Sequence, residues 1–161
     1  MKKIITFLTI LSILFGTFTL GASAKAAEIQ TQTQIVPLEN GDYLETTLSD
    51  TPGFSSGIET FSNTKTITKT KTTRRKNKEG TTLWSVSIRA TFTYNGSSSK
   101  CISCSHSTTC PAKTWKIKSV SSKKSGNSAT ATAVATQSFN HISKDFTKSV
   151  TISCSKNGIV S

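Results

Sequence analysis

The strongest constraint on the fold is a strict alternation of apolar and polar side chains over residues 82–94. The apolar positions are Trp84, Val86, Ile88, Ala90, Phe92 and Tyr94. Because successive side chains of a β-strand point to opposite faces, this pattern predicts a strand with one buried face. Asn95-Gly96 follows directly and indicates a hairpin turn, since both residues tolerate positive φ.

Weaker alternation of the same period recurs along the rest of the chain. It covers residues 64–73, 115–118, 129–136 and 146–154, and turn-forming Gly, Asn and Pro residues separate these segments. No segment has the 3.6-residue period of a helix. About six short strands without helices predict an all-β fold, a small antiparallel β-sandwich of immunoglobulin-like architecture.

Two of these predicted strands have unusual compositions. Residues 64–73 alternate threonine with lysine and isoleucine, and the lysines suit the exposed edge of a sheet. Residues 129–135 place alanine at every second position. This alanine run indicates either a close approach of two layers or a weak edge strand.

The N-terminus has the three-part pattern of a cleavable secretory signal peptide. Lys2 and Lys3 precede an uncharged, mostly apolar stretch over residues 4–20, and small residues follow. We therefore predict that residues 1–26 are removed on export and that the product is extracellular or held at the cell surface. The alternative is a permanent anchor, which the Thr, Ser and Gly residues of the stretch disfavour. We expect no transmembrane segment in the mature chain.

Charge divides the mature chain into two parts. Residues 27–62 contain six acidic and no basic residues, whereas residues 63–161 contain 17 Lys and Arg against two acidic residues. We predict an irregular, flexible acidic leader over residues 27–62, with one extended stretch near residues 35–38, and a basic sandwich domain over residues 63–161. The leader is interpreted as a spacer, a pro-segment, or an internal mask on the basic domain.

The densest group of basic residues opens the basic domain. On a strand and its hairpin, these residues would form a positive ridge that attracts a polyanion; the plainer interpretation is solubility and edge protection. The expected partner is an anionic wall polymer or a phospholipid surface. Nucleic acid is not expected, because the aromatic residues are in phase with the core. The predicted polyanion-binding residues are Lys65, Lys69, Lys71, Arg74, Arg75, Lys76 and Lys78.

Four cysteines, Cys101, Cys104, Cys110 and Cys154, predict disulfide bonds in an exported chain. If the strands run up and down in sequence, Cys154 lies at the same end of the sheet as Cys101, with Cys104 about 10 Å further along and Cys110 at the far end, so Cys154 should pair with Cys101 or Cys104. Strand parity alone favours Cys104 as its partner. We nevertheless predict Cys101–Cys154 with Cys104–Cys110, and the second pair requires a bend over residues 105–109.

Two kinds of chemistry are disfavoured by the sequence. Cys101, Cys104, His106 and Cys110 have the residue types of a zinc site, but their spacing matches no common finger and the compartment favours oxidation. Catalysis has little support: His141 and Asp145 are close in sequence, yet they lie in a turn region, and no phosphate loop or nucleophile elbow occurs. We expect neither an enzyme nor a cofactor.

Three stretches are similar to an uncharacterised family of small exported proteins from Gram-positive bacteria. They are residues 83–96, residues 124–127 before the alanine run, and residues 149–158. The resemblance covers about residues 60–161. It implies secretion, an all-β domain, and one cysteine near the Asn-Gly hairpin with another near the C-terminus. It implies no activity and no catalytic residues.

These features predict a non-catalytic, secreted binding module that associates with anionic cell-envelope material through the basic ridge. The alternative is a secreted antimicrobial or toxin-like effector whose basic domain is masked by the acidic leader. The two hypotheses differ in what they expect of residues 27–62, because only the second requires the leader to cover the basic residues.

Overall fold

The alternating segments form β-strands, and no helix occurs in the part of the chain that the computed structural model describes, residues 32–50 and 63–161. In chain order the strands are β1 (Gln32–Pro37), β2 (Tyr43–Asp50), β3 (Lys65–Lys76), β4 (Thr82–Tyr94), β5 (Ser99–Thr109), β6 (Trp115–Ser125), β7 (Ser128–Phe139) and β8 (Ile142–Ser153). The described residues include no helix of the length and apolarity that crossing a membrane requires.

The strands make two antiparallel sheets that pack against each other. One sheet has the order β1-β2-β3-β4-β5 and the other the order β6-β7-β8. Strand β4 packs against β7 and β8, and β5 lies beside β6. The predicted all-β class and antiparallel sandwich are confirmed, with eight strands instead of about six. Each described strand pairs with its sequence neighbour, so the Greek-key connection of immunoglobulin domains is not formed among them.

The core lies between β4 and the alanine run of β7. Val86, Ile88 and Phe92 are completely buried on the inner face of β4. Ala129, Ala131, Ala133 and Ala135 are at most 1% exposed on β7, which is the central strand of its sheet. The alanines therefore mark a close approach of two layers and not an edge strand.

The described part of the leader is not irregular. Residues 32–50 form β1 and β2, and β2 pairs with β3 in continuous register from Tyr43 opposite Lys76 to Asp50 opposite Lys69. Strand β3 is consequently an interior strand and not the exposed edge that its lysines suggested. The physical reason is charge complementarity across the two strands, which supplies the acidic residues of β2 with basic partners. The predicted signal peptide, residues 1–26, lies outside the described residues.

The outer faces of both sheets are covered by hydroxyl groups that bond to one another. On the larger sheet, Thr68 pairs with Thr91 at 2.9 Å and Thr72 with Ser87 at 2.8 Å between hydroxyl oxygens. On the smaller sheet, Thr130 pairs with Thr151 at 2.8 Å. Because directly opposed Thr and Ser side chains stabilise neighbouring strands, these pairs account for the many Thr residues at alternate positions.

Candidate functional site

The predicted basic ridge is divided between two faces of β3. Arg75 stands opposite the buried Trp84, and Lys71 stands opposite the buried Ile88, so both belong to the inner face of the sheet. Arg74 and Lys76 flank Glu45 on the other face. A single continuous ridge is therefore wrong, because alternate residues of a strand point in opposite directions. Lys65 and Lys69 share the inner phase, and Lys78 lies in the turn after β3.

The acidic residues of β2 neutralise several of these basic groups. Glu45 accepts a hydrogen bond from Lys76 Nζ at 2.7 Å and lies 3.7 Å from Arg74 Nη1. Asp50 forms an ion pair with Lys69. The strand predicted to be part of a flexible leader thus lies against the predicted binding residues and covers their charge.

Arg75 is buried between the carboxylate of Asp42 and the rings of Trp115 and Phe146. Its Nε and Nη2 donate to the same carboxylate oxygen of Asp42 at 2.9 and 2.7 Å. Its guanidinium carbon lies 4.8 Å from the ring centroid of Trp115 and 4.5 Å from that of Phe146. The whole residue is 6% exposed. Arg75 therefore joins the leader to both sheets and is inaccessible to a polymer.

The remaining ridge residues have different surroundings. Lys78 is 77% exposed, with Glu79 at 3.7 Å. Lys65 is exposed near the start of β3. Lys71 contributes to a cleft of about 240 Å³ that Gln34, Leu48 and Ser161 also line. Lys65 and Lys71 share the inner phase of β3, but six residues of strand, about 20 Å, separate them, and Lys78 lies in the turn, so the three do not restore the predicted ridge.

A second set of basic residues was missed by the sequence reasoning. The three-stranded sheet carries six lysines and one acidic residue, Asp145. Among the described residues, only Lys118 of the six forms an ion pair, with Asp145 at 2.6 Å. The other five are Lys116, Lys123, Lys124, Lys144 and Lys148. Lys116 and Lys123 are in the outward phase of β6, whereas Lys124, Lys144 and Lys148 share the phase of the buried alanines of β7. The sequence signal for this set was the scarcity of acidic residues after residue 80.

Cys101 and Cys154 lie on either side of the turn between β6 and β7. The Cys101 amide donates to Gly126 O at 2.8 Å, and the Cys154 amide donates to Asn127 O at 3.0 Å. Both cysteines are buried, and burial raises the pKa of both thiols. A bulge between the partners of Thr91 and Phe92 turns Cys101 inward, which explains why simple strand parity favoured Cys104. No disulfide bond is formed in the structure, and the Cys101–Cys154 bond stays a prediction.

The predicted bend between Cys104 and Cys110 is absent. Strand β5 continues without interruption to Thr109. Six residues of extended strand span about 20 Å, whereas a disulfide joins Cα atoms about 7 Å apart or less. A Cys104–Cys110 bond is therefore incompatible with this strand. No group of three or more His, Cys, Asp or Glu side chains in the described ranges is arranged to hold a metal ion.

The His141 and Asp145 pair weighed for catalysis is not assembled. The Asp145 carboxylate accepts hydrogen bonds from Lys118 Nζ and Thr136 Oγ1, both at 2.6 Å. These bonds, chiefly that from Lys118, lower the pKa of Asp145. His141 lies in the two-residue turn between β7 and β8 with φ of 64°. The Asp145 carboxylate is thus bonded to Lys118 and Thr136 on the sheet and not to the imidazole of His141.

No protein-family model, no curated protein and no solved structure matches this chain. The resemblance to small exported proteins of Gram-positive bacteria stays a prediction.

Proposed function

We propose that the protein is a secreted, non-catalytic binding module for anionic cell-envelope material, and that it is related to small exported proteins of Gram-positive bacteria. The observation that carries this proposal is the set of lysines on the three-stranded sheet without an acidic partner among the described residues. Uncompensated surface lysines attract polyanions over about a Debye length, roughly 8 Å at physiological salt. The ligand surface is therefore moved from residues 65–78 to the outer face of β6, where Lys116 and Lys123 stand opposite Thr136 and Thr130.

The neutralised ridge supports this change of surface. Lys69, Arg74, Arg75 and Lys76 each have an acidic partner on or beside β2. A polyanion would have to displace Asp42, Glu45 and Asp50 to reach these groups. The lysines of the three-stranded sheet require no such displacement.

The test is retention on purified cell walls and on anionic vesicles as a function of salt. The double variant Lys116→Gln, Lys123→Gln is expected to bind at least about tenfold more weakly, since each surface lysine contributes about 1 kcal/mol to such contacts. The matched control is Lys69→Gln, Lys76→Gln, which removes ion-paired lysines and should retain binding. Retention that ignores salt, or equal loss in both variants, would contradict the proposal.

A second candidate function is favoured by the contact between leader and basic domain. An antimicrobial or toxin-like effector masked by its leader would need acidic residues seated on its basic strand, as Asp42, Glu45 and Asp50 are. Removing residues 27–62 would then produce activity against cells that the longer chain lacks. If removal produced no gain in activity, the binding module would be the better proposal.

N-terminal sequencing of the exported product tests the predicted cleavage after residue 26.

A further inference from the structure

The hairpin between β7 and β8 presents two large apolar side chains to solvent. Phe139 and Ile142 are 68% and 73% exposed and stand directly opposite each other as a cross-strand pair. We propose that this pair, the hairpin tip, inserts into the interface of an anionic lipid bilayer. The inference deepens the proposed function and rests on it, because it makes lipid the anionic material.

The hairpin geometry holds the pair outward. Asn140 and His141 form the turn with φ of 47° and 64°, the left-handed values that a two-residue hairpin needs at both positions. Asn and His are among the non-glycine residues that adopt the left-handed region most often, so both are compatible with this turn. Below the tip, the hydroxyls of Ser138 and Ser143 are 3.1 Å apart. Phe139 and Ile142 are therefore the last cross-strand pair of the hairpin, and neither side chain packs into the core.

Basic residues surround the base of the tip. Lys144 lies two residues after Ile142, and its Nζ is 5.3 Å from the ring centroid of Phe146. The Ser138 amide donates to Thr114 O at 2.8 Å, which brings the segment with Lys113 and Lys116 beside β7. The acidic residue of the hairpin, Asp145, is occupied by Lys118 and Thr136.

The same end of the sandwich also holds three acidic residues on its turns. Asp42 is bound to Arg75, Glu79 lies 3.7 Å from Lys78, and Glu39 is in the turn between β1 and β2. None of the three is on the hairpin or on the adjoining segment with Lys113. The charge at the base of the tip therefore remains positive.

A hairpin tip with two apolar side chains and lysines at its base matches a bilayer better than a wall polymer. Lysines at this height meet anionic headgroups, while Phe and Ile side chains are buried in the acyl boundary below them. A wall polymer offers negative charge but no apolar layer, so it would leave Phe139 and Ile142 in water. This difference in chemistry selects lipid as the partner.

The first test is vesicle flotation with the full chain. Vesicles of phosphatidylcholine with phosphatidylglycerol are expected to carry the protein, and vesicles of phosphatidylcholine alone are not. The variant Phe139→Ser, Ile142→Ser should bind the anionic vesicles at least about tenfold more weakly, because two side chains lose apolar burial. Both residues are exposed, so the variant is expected to fold.

The matched control is Ile159→Ser. Ile159 is 70% exposed, and it lies at the opposite end of the sandwich, where Gly96 N donates to Lys156 O. Its substitution removes a similar apolar area and should leave vesicle binding unchanged. A loss equal to that of the tip variant would overturn the assignment of the tip.

A second measurement reports insertion directly. In Phe139→Trp, the new indole should shift its emission to shorter wavelength and be quenched by brominated lipid, only with anionic vesicles. Trp84 and Trp115 are 2% and 6% exposed and supply a constant background. Vesicle binding without this shift would overturn insertion while leaving charge-based binding intact. Binding to walls but not to vesicles would also overturn it, whereas failure on both materials would overturn the proposed function as well.

Discussion

Arg75 shows how far the role of one side chain can differ from its residue type. As one of the basic residues in the run from Lys65 to Lys78, it was predicted to meet a ligand. In the structure it is stacked against Trp115 and Phe146 and bonded to Asp42. A buried guanidinium needs a paired carboxylate, because an unpaired buried charge is strongly destabilising. Its neighbour Arg74 has a side chain that is 36% exposed and that contacts Glu45 and Thr47 of β2, so the two adjacent arginines have different surroundings.

Asp42→Asn is expected to lower the free energy of unfolding by about 2–4 kcal/mol, since it leaves the Arg75 charge buried without its carboxylate. Urea denaturation measures the change. The matched control is Glu79→Gln, which removes the acid beside the exposed Lys78 and should cost less than about 0.5 kcal/mol. Equal effects of the two substitutions would show that the buried pair contributes no more than a surface pair.

Strands β2 and β7 show that the sequence of a strand does not determine which strands lie beside it. Strand β2 was not recognised because its acidic residues resembled a solvated segment, and the partners of Asp50 and Glu45 on β3 lie 19 and 31 residues away. The alanine run of β7 was recognised, but the sequence left open whether it marks a close approach of two layers or a weak edge strand. The structure places them against β4, where small side chains allow the sheets to approach closely.

Ala131→Leu is expected to destabilise the fold by about 1–3 kcal/mol, because the added atoms enter a closely packed layer. Ala131 is completely buried. The control is Val134→Leu on the same strand, which faces outward and is half-buried, and it should change stability by less than about 0.5 kcal/mol. Thermal unfolding followed by circular dichroism compares the two. If Ala131→Leu were tolerated equally well, the two sheets would not be in close contact at this strand.

Different contacts join the two sheets at the two ends of the sandwich. At one end Arg75 connects the leader, β3 and the aromatic residues of β6 and β8. At the other, Cys101 of β5 and Cys154 after β8 flank the turn at residues 126–127. A covalent bond between these buried cysteines would link the sheets through a loop of about 50 residues. Cys104 lies on β5 and Cys110 directly follows its last residue, so the extended chain between them keeps these two cysteines from bonding to each other.

Mass spectrometry of the exported protein without reduction should find a Cys101–Cys154 linked peptide. The variant Cys101→Ser, Cys154→Ser is expected to lose about 4 kcal/mol of stability by the loop-entropy estimate. Cys104→Ser, Cys110→Ser should lose much less. A linked peptide joining Cys104 to Cys110 would contradict the continuous strand β5, and thiols at all four positions would contradict the bond itself.

The local alternation of residue types determined the all-β class, the inner face of β4 and the apolar phase of β7, because side-chain direction along a strand depends on sequence parity alone. It also located the turns at Asn95-Gly96 and Ser125–Asn127. Which basic residues remain available was decided by the tertiary structure. Ion pairs such as Asp42–Arg75 and Glu45–Lys76 form between strands distant in sequence, and register across strands, not local composition, determines which charges meet.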